Sequence, residues 1–485
     1  MRKRLAASVA VTVCWVSLGV AGCSGGSNGS GGGHATASAQ PAVSCSPTHG
    51  HPKPVPYDFG GTGRADLVLP DTGATVQGVR DAGYAAVLPG GSQGPDPKHA
   101  RLLTQNGIGE GPAGQGAYFG AATASADLDG DGKADLVVQA GYSTLFVLWS
   151  GGTADGKPAR LHGAHPFTGD FDGDGHADLA TTGSSPFTET IAYGPFDRSG
   201  NPARTATVRL PVDRPAGKAD PFLDEQVVAV GDINGDGRSD LITSWATEYT
   251  DIAPTPRATV VWYGTATGVT RGPRLKDAKG QDIYGSSYGE PLAVGDFDGD
   301  GCDDIAVGLP NELGPQQEEP GPPKDGSRLT VWYGGAKRTP LTLTAATAGL
   351  PGALVADGFG GLPVAGDVNG DGTADLAFFA EPRKGAPSEV LVLRGGPHGL
   401  TTSAAQLLPG RDATAMTMLD TDGDGRVDLV TGAPHDQPPS VTVLRGSAEG
   451  LDASHPLTIT SDGLGTPLPP DGPGYGTGFG SAFGR

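Results

Sequence analysis

The chain has 485 residues, of which Gly 82 and Pro 42 make about a quarter, and 33 Lys+Arg stand against 54 Asp+Glu for a formal net charge of -21. That acid excess argues against nucleic acid and anionic lipid as partners and favours cations. The glycines recur beside apolar runs instead of in low-complexity tracts, which points to many short strands and tight turns.

The N-terminus reads as an export segment. Arg2, Lys3 and Arg4 form a positive region, Leu5 to Val20 an apolar core, and Val20-Ala21-Gly22-Cys23 closes it with small residues before a cysteine. This ending resembles the bacterial lipobox, which implies a signal peptide over 1–22, lipidation of Cys23 and anchoring to the outer face of the cell membrane. The competing reading is an uncleaved span, but roughly 16 to 18 apolar residues are short for the about 20 that a span needs. Residues 23–52 read as a Gly/Ser/Ala-rich flexible tether, and 53–485 as the folded domain. Cys45 and Cys302 are the thiols left beyond the lipidation site. A disulfide tying the tether to the domain and two separate thiols are both compatible with the sequence.

From Val55 onward an acidic loop of the form Asp-x-Asp/Asn-Gly-Asp-Gly-x-x-Asp recurs, opening at Asp58, Asp127, Asp170, Asp232, Asp296, Asp367 and Asp420, at spacings of 43 to 71 residues. Each unit has the same order. An apolar run such as Pro291-Leu-Ala-Val-Gly295 precedes the loop, and a second such as Ile305-Ala-Val-Gly-Leu309 follows it. A third run ends in glycine, as in Leu148-Trp-Ser-Gly151, Val261-Trp-Tyr-Gly264, Val331-Trp-Tyr-Gly334, Val392-Leu-Arg-Gly395 and Val443-Leu-Arg-Gly446, and a weaker fourth often appears. Short β-rich runs bounded by Gly, Pro, Asn and Asp read as antiparallel strands. Seven such units predict an all-β fold, a seven-bladed β-propeller of four-stranded antiparallel blades.

Carboxylates at loop positions one, three, five and nine, with the carbonyl of position seven, form a hard oxygen set of the kind calcium takes at about 2.3 to 2.6 Å. The expected ligands are Asp127, Asp129, Asp131 and Asp135 in the second loop and Asp170, Asp172, Asp174 and Asp178 in the third. The fourth offers Asp232, Asn234, Asp236 and Asp240, and the fifth Asp296, Asp298, Asp300 and Asp304. The sixth offers Asp367, Asn369, Asp371 and Asp375, and the seventh Asp420, Asp422, Asp424 and Asp428, giving about six Ca2+ sites. The first loop has Gly60 and Thr62 at positions three and five and keeps two carboxylates, too few for an expected site. A helix-loop-helix calcium hand would need Glu at position twelve. That position holds Val138, Thr181, Thr243, Val307, Phe378 and Thr431.

With Phe119-Gly120, Phe359-Gly360 and Phe479-Gly480 before loops, and Val307-Gly-Leu-Pro310 and Thr431-Gly-Ala-Pro434 after them, the repeats resemble FG-GAP repeats of the integrin α-chain N-terminal propeller family. The resemblance implies calcium in the hairpin between the first two strands of a blade, and a recognition function. The C-terminal Gly478-Phe-Gly-Ser-Ala-Phe-Gly-Arg485 looks like the start of a further repeat and is expected to pack where the last blade meets the first.

No catalytic constellation stands out. Gly285-Ser-Ser-Tyr-Gly289 matches a nucleophile elbow by letter without a strand-to-helix context, and Gly109-Glu-Gly-Pro-Ala-Gly114 spells a dinucleotide fingerprint without a βαβ unit. Trp149, Trp262 and Trp332 read as packing. Long connections on the face opposite the acidic loops suggest a ligand face with Trp245, Tyr249, Glu312 and Arg383 as contributors. The expected function is adhesion to, or binding of, an extracellular protein or glycan. The alternatives are a hydrolase or lyase acting on polysaccharide at the propeller mouth, and a structural envelope component. Replacing Cys23 by Ala is expected to move the protein from the membrane fraction to the soluble fraction on cell fractionation; continued retention would indicate an uncleaved span.

Overall fold

The computed structural model describes residues 45, 55–152, 157–182, 188–209, 222–248, 255–256, 259–283, 292–309, 327–335, 338–351, 354, 358–380, 388–410, 413–436, 438–464, 479 and 483, with backbone alone described for 222–228, 244–248 and 255–256. The chain divides into two units, Met1–Gln40 and Pro41–Arg485, and every described residue belongs to the second.

Seven antiparallel sheets succeed one another along the chain. The second is representative: Thr123–Ala126, Asp135–Ala140, Thr144–Leu148 and Ala159–His162 pair in sequence order. The third runs from Ala164–Gly169 to Arg204–Arg209 and the fourth from Phe222–Gly231 to Gly268–Arg274. The fifth runs from Leu292–Gly295 to Leu341–Leu343, the sixth from Gly361–Gly366 to Thr401–Pro409, and the seventh from Ala415–Leu419 to Asp452–Thr460. The expectation of four strands per blade holds with two local departures. The first sheet has three strands, Leu67–Asp71, Tyr84–Leu88 and Arg101–Leu103, because the described residues before its acidic loop, 55–57, do not form a strand. The fourth sheet gains the short strand Thr255–Pro256.

The core lies between the sheets. Seven apolar clusters are each shared by two consecutive blades. In the fully buried strand Asp135–Ala140, Leu136 and Val138 pack toward blade one while Val137 packs toward blade three. Both faces of a blade are thus removed from water, which is why its second strand is apolar throughout instead of alternating. Each buried Leu, Val or Phe contributes about 1.5 to 3 kcal/mol relative to exposure.

The seventh cluster closes the ring. It joins Val430, Val441 and Ile459 of blade seven to Leu67, Leu69 and Leu88 of blade one, with Phe479 and Phe483 of the C-terminal segment inserted between them. The expected packing of that segment is therefore observed for both phenylalanines. Cys45 and Cys302 form a disulfide, which resolves the alternative left open by the sequence. Among the described residues no helix is long and apolar enough to cross a membrane.

Phe479 is wholly buried at the closure. Phe479→Ala is expected to lower unfolding free energy by about 3 kcal/mol, read as a lower urea midpoint. An unchanged midpoint would show that the closure does not depend on it.

Candidate functional site: a ring of seven acidic loops

Each acidic loop precedes the second strand of its blade, so the antiparallel pairing brings all seven to one edge of the ring. Position one folds the loop. Asp127 accepts the N–H groups of Asp131 and Gly132 at 3.0 and 2.9 Å, and Asp232 accepts those of Asp236 and Gly237 at 3.0 and 2.8 Å. The turn this makes needs positive φ at position six, 86° at Gly132, where a side chain would be strained.

Position nine pins the loop to its blade. One oxygen of Asp304 accepts the N–H of Phe297 at loop position two, and the other accepts the N–H of Gly334 at the end of the third strand, both at 2.8 Å. The same pair of bonds recurs in every blade: Asp66 with Phe59 and Gly90, Asp135 with Leu128 and Ser150, Asp178 with Phe171 and Gly194. Asp240 takes Ile233 and Gly264, Asp375 takes Val368 and Gly395, and Asp428 takes Thr421 and Gly446. Burial pushes these carboxyls up, to about 7 for Asp135 and Asp178, about 8 for Asp240, about 9 for Asp304 and about 6 for Asp375 and Asp428. The two N–H donors offset only part of that shift, and neighbouring loop carboxylates add to it in most blades.

The glycine ending most third runs is explained by the same contact, blade two being the exception, where Ser150 is the clamp partner and Gly151 packs against Phe59. A Cβ at Gly264, Gly334, Gly395 or Gly446 would collide with the carbonyl of loop position eight, respectively that of Ser239, Asp303, Ala374 or Val427. The loops also lock to one another. The N–H of position eight donates to the position-one carbonyl of the preceding loop in Ala134 to Asp58, Ser239 to Asp170, Asp303 to Asp232, Ala374 to Asp296 and Val427 to Asp367, at 2.7 to 3.1 Å. Ala65 donates to Asp420 at 2.8 Å, and Arg64 Nε donates to the Asp422 carbonyl at 3.0 Å, so the ring of loops closes from blade one to blade seven.

Positions three and five have no such scaffold duty beyond short turns, as where Asp129 accepts from Asp131 N–H and Asp131 from Lys133 N–H. Their carboxylate oxygens gather with position one. Asp127, Asp129 and Asp131, then Asp296, Asp298 and Asp300, then Asp420, Asp422 and Asp424 each place oxygens within 4.8 Å of one another, and in the third loop Asp170 and Asp172 gather with Asp178. In the fourth and sixth loops the position-three amides of Asn234 and Asn369 donate to Asp236 and Asp371 at 3.2 and 3.0 Å. Among the described residues, Asp174 stands in its loop as a turn acceptor for His176 N–H.

The first loop is an internal control. Asp58 accepts from Thr62 N–H at 2.8 Å and Gly63 N–H at 2.6 Å, and Asp66 makes both position-nine bonds. The loop therefore folds with positions one and nine alone. Carboxylates at three and five in the other loops are surplus to the turn and repel one another, which fits an oxygen set meant for a hard cation. The acidic oxygens of loops two, three, five and seven, and the mixed carboxylate and amide oxygens of loops four and six, could hold such an ion.

Other expected residues fall as follows. Cys23, Tyr249, Glu312 and Arg383, and the Gly285–Gly289 segment, lie outside the described residues, and Trp245 is described as backbone within Asp240–Glu248. Gly109–Gly114 is irregular loop, as expected. Trp149 and Trp262 are buried packing residues and Trp332 is partly buried against the same kind of core. Sequence reasoning missed the position-nine clamp. Its signal was present in the glycines that end the third runs at Gly264, Gly334, Gly395 and Gly446.

Residues 127–181 and 367–431 match the FG-GAP-like repeat, and residues 289–327 match the FG-GAP repeat. Integrin alpha-PS2 of Drosophila melanogaster is 29% identical over 211 residues, covering 38% of this chain and 13% of that one. Integrin alpha-4 of Xenopus laevis is 37% identical over 87 residues, covering 18% of this chain and 8% of that one. The chain thus spans 13% or less of the length of these curated relatives. Among solved structures, rhamnogalacturonan lyase YesW superposes with a TM-score of 0.33 at 13% identity, over 83% of this chain and 67% of that one.

The metal-free protein carries a testable pH signature. Folded-state carboxyls raised above the ordinary value near 4 bind more protons than the unfolded chain, so their contribution to stability is full below about pH 4 and is lost as pH rises through about 6 to 9. In chelator, the melting temperature is expected to be lower at pH 8 than at pH 5.5; the opposite slope would show that these carboxyls are not the dominant titrating groups.

Proposed function

We propose that this protein is a calcium-loaded recognition module, exported and held at the outer face of the cell membrane by a lipid on Cys23, that presents a propeller face to an extracellular protein or glycan. Loops two to seven hold calcium through positions one, three, five and nine and the carbonyl of position seven; loop one, lacking positions three and five, holds none. Calcium would neutralise the gathered carboxylates and fix the loops that already interlock around the ring. The observation carrying the metal is loop one, which folds by the same bonds without the surplus carboxylates. The observation supporting recognition is the FG-GAP repeat itself, together with similarity to integrin alpha chains.

The recognition surface lies on the edge opposite the acidic loops. The acidic edge is filled by loop-to-loop bonds, and the Cys45–Cys302 disulfide brings the chain into the domain at loop five on that same edge. The opposite edge carries the connections between second and third strands, among them 72–83, whose length suits contact with a ligand.

Two measurements test this reading. Saturating calcium is expected to raise the melting temperature, and more at pH 8 than at pH 5.5, because the ion takes the deprotonated carboxylates; a melting curve unmoved by calcium at both pH values would remove the metal. A screen of extracellular proteins and glycans, run with calcium and with chelator, is expected to return binding that chelation weakens and that leaves the ligand intact. Release of cleaved product from a polysaccharide would instead identify an enzyme.

A further inference from the structure

The position-three side chains follow a rule that the metal pattern alone does not require. Where position three is aspartate, its side chain is nearly buried and an arginine from the wall of the ring meets it. Arg198 Nε lies 2.8 Å from Asp129 Oδ2, and its Nη2 lies 2.9 Å from Asp131 Oδ2. Arg204 pairs with Asp172 at 2.6 Å, Arg338 Nε with Asp298 at 2.6 Å, and Arg445 with Asp422 at 3.9 Å. These four aspartate side chains are 0 to 10% exposed. Where position three is Asn234 or Asn369, no arginine takes that place among the described residues. The amide donates to the position-five carboxylate instead. Arg394, in the same third-strand position as Arg445, acts on Asp371 and Asp375 from a distance without an ion pair.

Three of the arginines are also held by an aromatic ring at the end of a third strand. Arg198 lies over Trp149, Arg204 over Tyr193 and Arg338 over Tyr333, with the guanidinium carbon 5.8, 3.3 and 5.2 Å from the ring centroid. A guanidinium fixed in this way is a standing counter-charge. It compensates a buried carboxylate whose other oxygen already accepts the N–H of position five, as Asp129 and Asp172 do at 3.2 and 3.3 Å.

We infer that these wall arginines set the cation affinity of the aspartate loops: each offsets the extra negative charge that an aspartate brings to position three. The inference rests on the calcium reading above. A fixed guanidinium beside the ion's own ligand repels the ion, and removing it tightens binding at that loop by at least about tenfold, since unit charges about 4 Å apart interact by about 1 kcal/mol even in bulk water and a divalent ion doubles this.

The test uses the full chain and terbium as a luminescent substitute for calcium, excited through tryptophan. The part of the signal lost in Trp149→Phe reports loop two, since Arg198 joins that ring to Asp129 and Asp131. In Arg198→Gln the concentration of terbium filling loop two is expected to fall at least about tenfold, while Arg198→Lys stays near wild type. The melting temperature of Arg198→Gln in chelator is expected to drop, and calcium is expected to restore it. Asn369→Asp, which adds a carboxylate with no paired arginine, is expected to tighten uptake and lower stability in chelator in the same way. Uptake unchanged or weaker in Arg198→Gln would overturn the inference and leave the metal reading standing. No uptake at loop two in the wild type would overturn both.

Discussion

The ring depends on one buried carboxylate repeated seven times. Position nine of each acidic loop reaches from the loop to the far end of the third strand of its own blade and satisfies a backbone N–H at both ends. Leaving such a buried N–H unpaired costs about 1 to 3 kcal/mol. Burying the carboxylate is itself unfavourable, as the raised pKa of Asp304 and its counterparts records. The clamp therefore holds only because sheet packing keeps the three groups together.

Once the clamp is set, the loop is a rigid edge that the next blade can recognise. At six of the seven junctions its position-one carbonyl receives the next loop's position-eight N–H, and the carbonyl of position two receives another N–H of the following blade where Gly335 meets Ile233 and Gly396 meets Phe297. The apolar clusters between blades supply most of the free energy and have no preferred angle of their own. The polar contacts at the loop edge fix how one blade is rotated against the next. Closure then needs no special device on this edge, because Ala65 bonds loop seven as Ala134, Ser239, Asp303, Ala374 and Val427 bond their preceding loops, and Arg64 does so as Arg238 and Arg426 do. On the core side it does need one, and Phe479 and Phe483 fill it.

The repeat, the strand order and the blade number were legible because they are local: a loop of fixed length flanked by apolar runs has few other ways to bury itself. The three described strands of the first blade were half legible, since its loop is visibly degraded at Gly60 and Thr62, yet nothing in Val55-Pro-Tyr57 says that its backbone bonds go to Ser125 and Asp66 instead of to a strand ladder. The wall arginines were not legible at all. Arg198 lies 69 residues beyond Asp129, and Arg338 lies 40 beyond Asp298, so no fixed spacing links a loop to its arginine. The disulfide was one of two readings that the sequence left open, because with 257 residues between its cysteines only the fold brings them together. The expected ligand face fell in the long connections, where sequence has no period to read.

Loop one separates two things that the other six combine. It keeps Asp58 and Asp66, and with them the position-one bonds that fold the turn and the position-nine bonds that tie it to the blade. It folds without the two further carboxylates and the short turn bonds they accept elsewhere. Among the described residues blade one also shows no strand leading into its loop, which stands where the ring closes through Ala65 and Arg64 on loop seven and through the C-terminal phenylalanines. At that place a turn whose shape waited on an ion would leave closure dependent on the ion. A loop folded by Asp58 and Asp66 keeps the closure independent of it, and confines any dependence on cations to the other six loops.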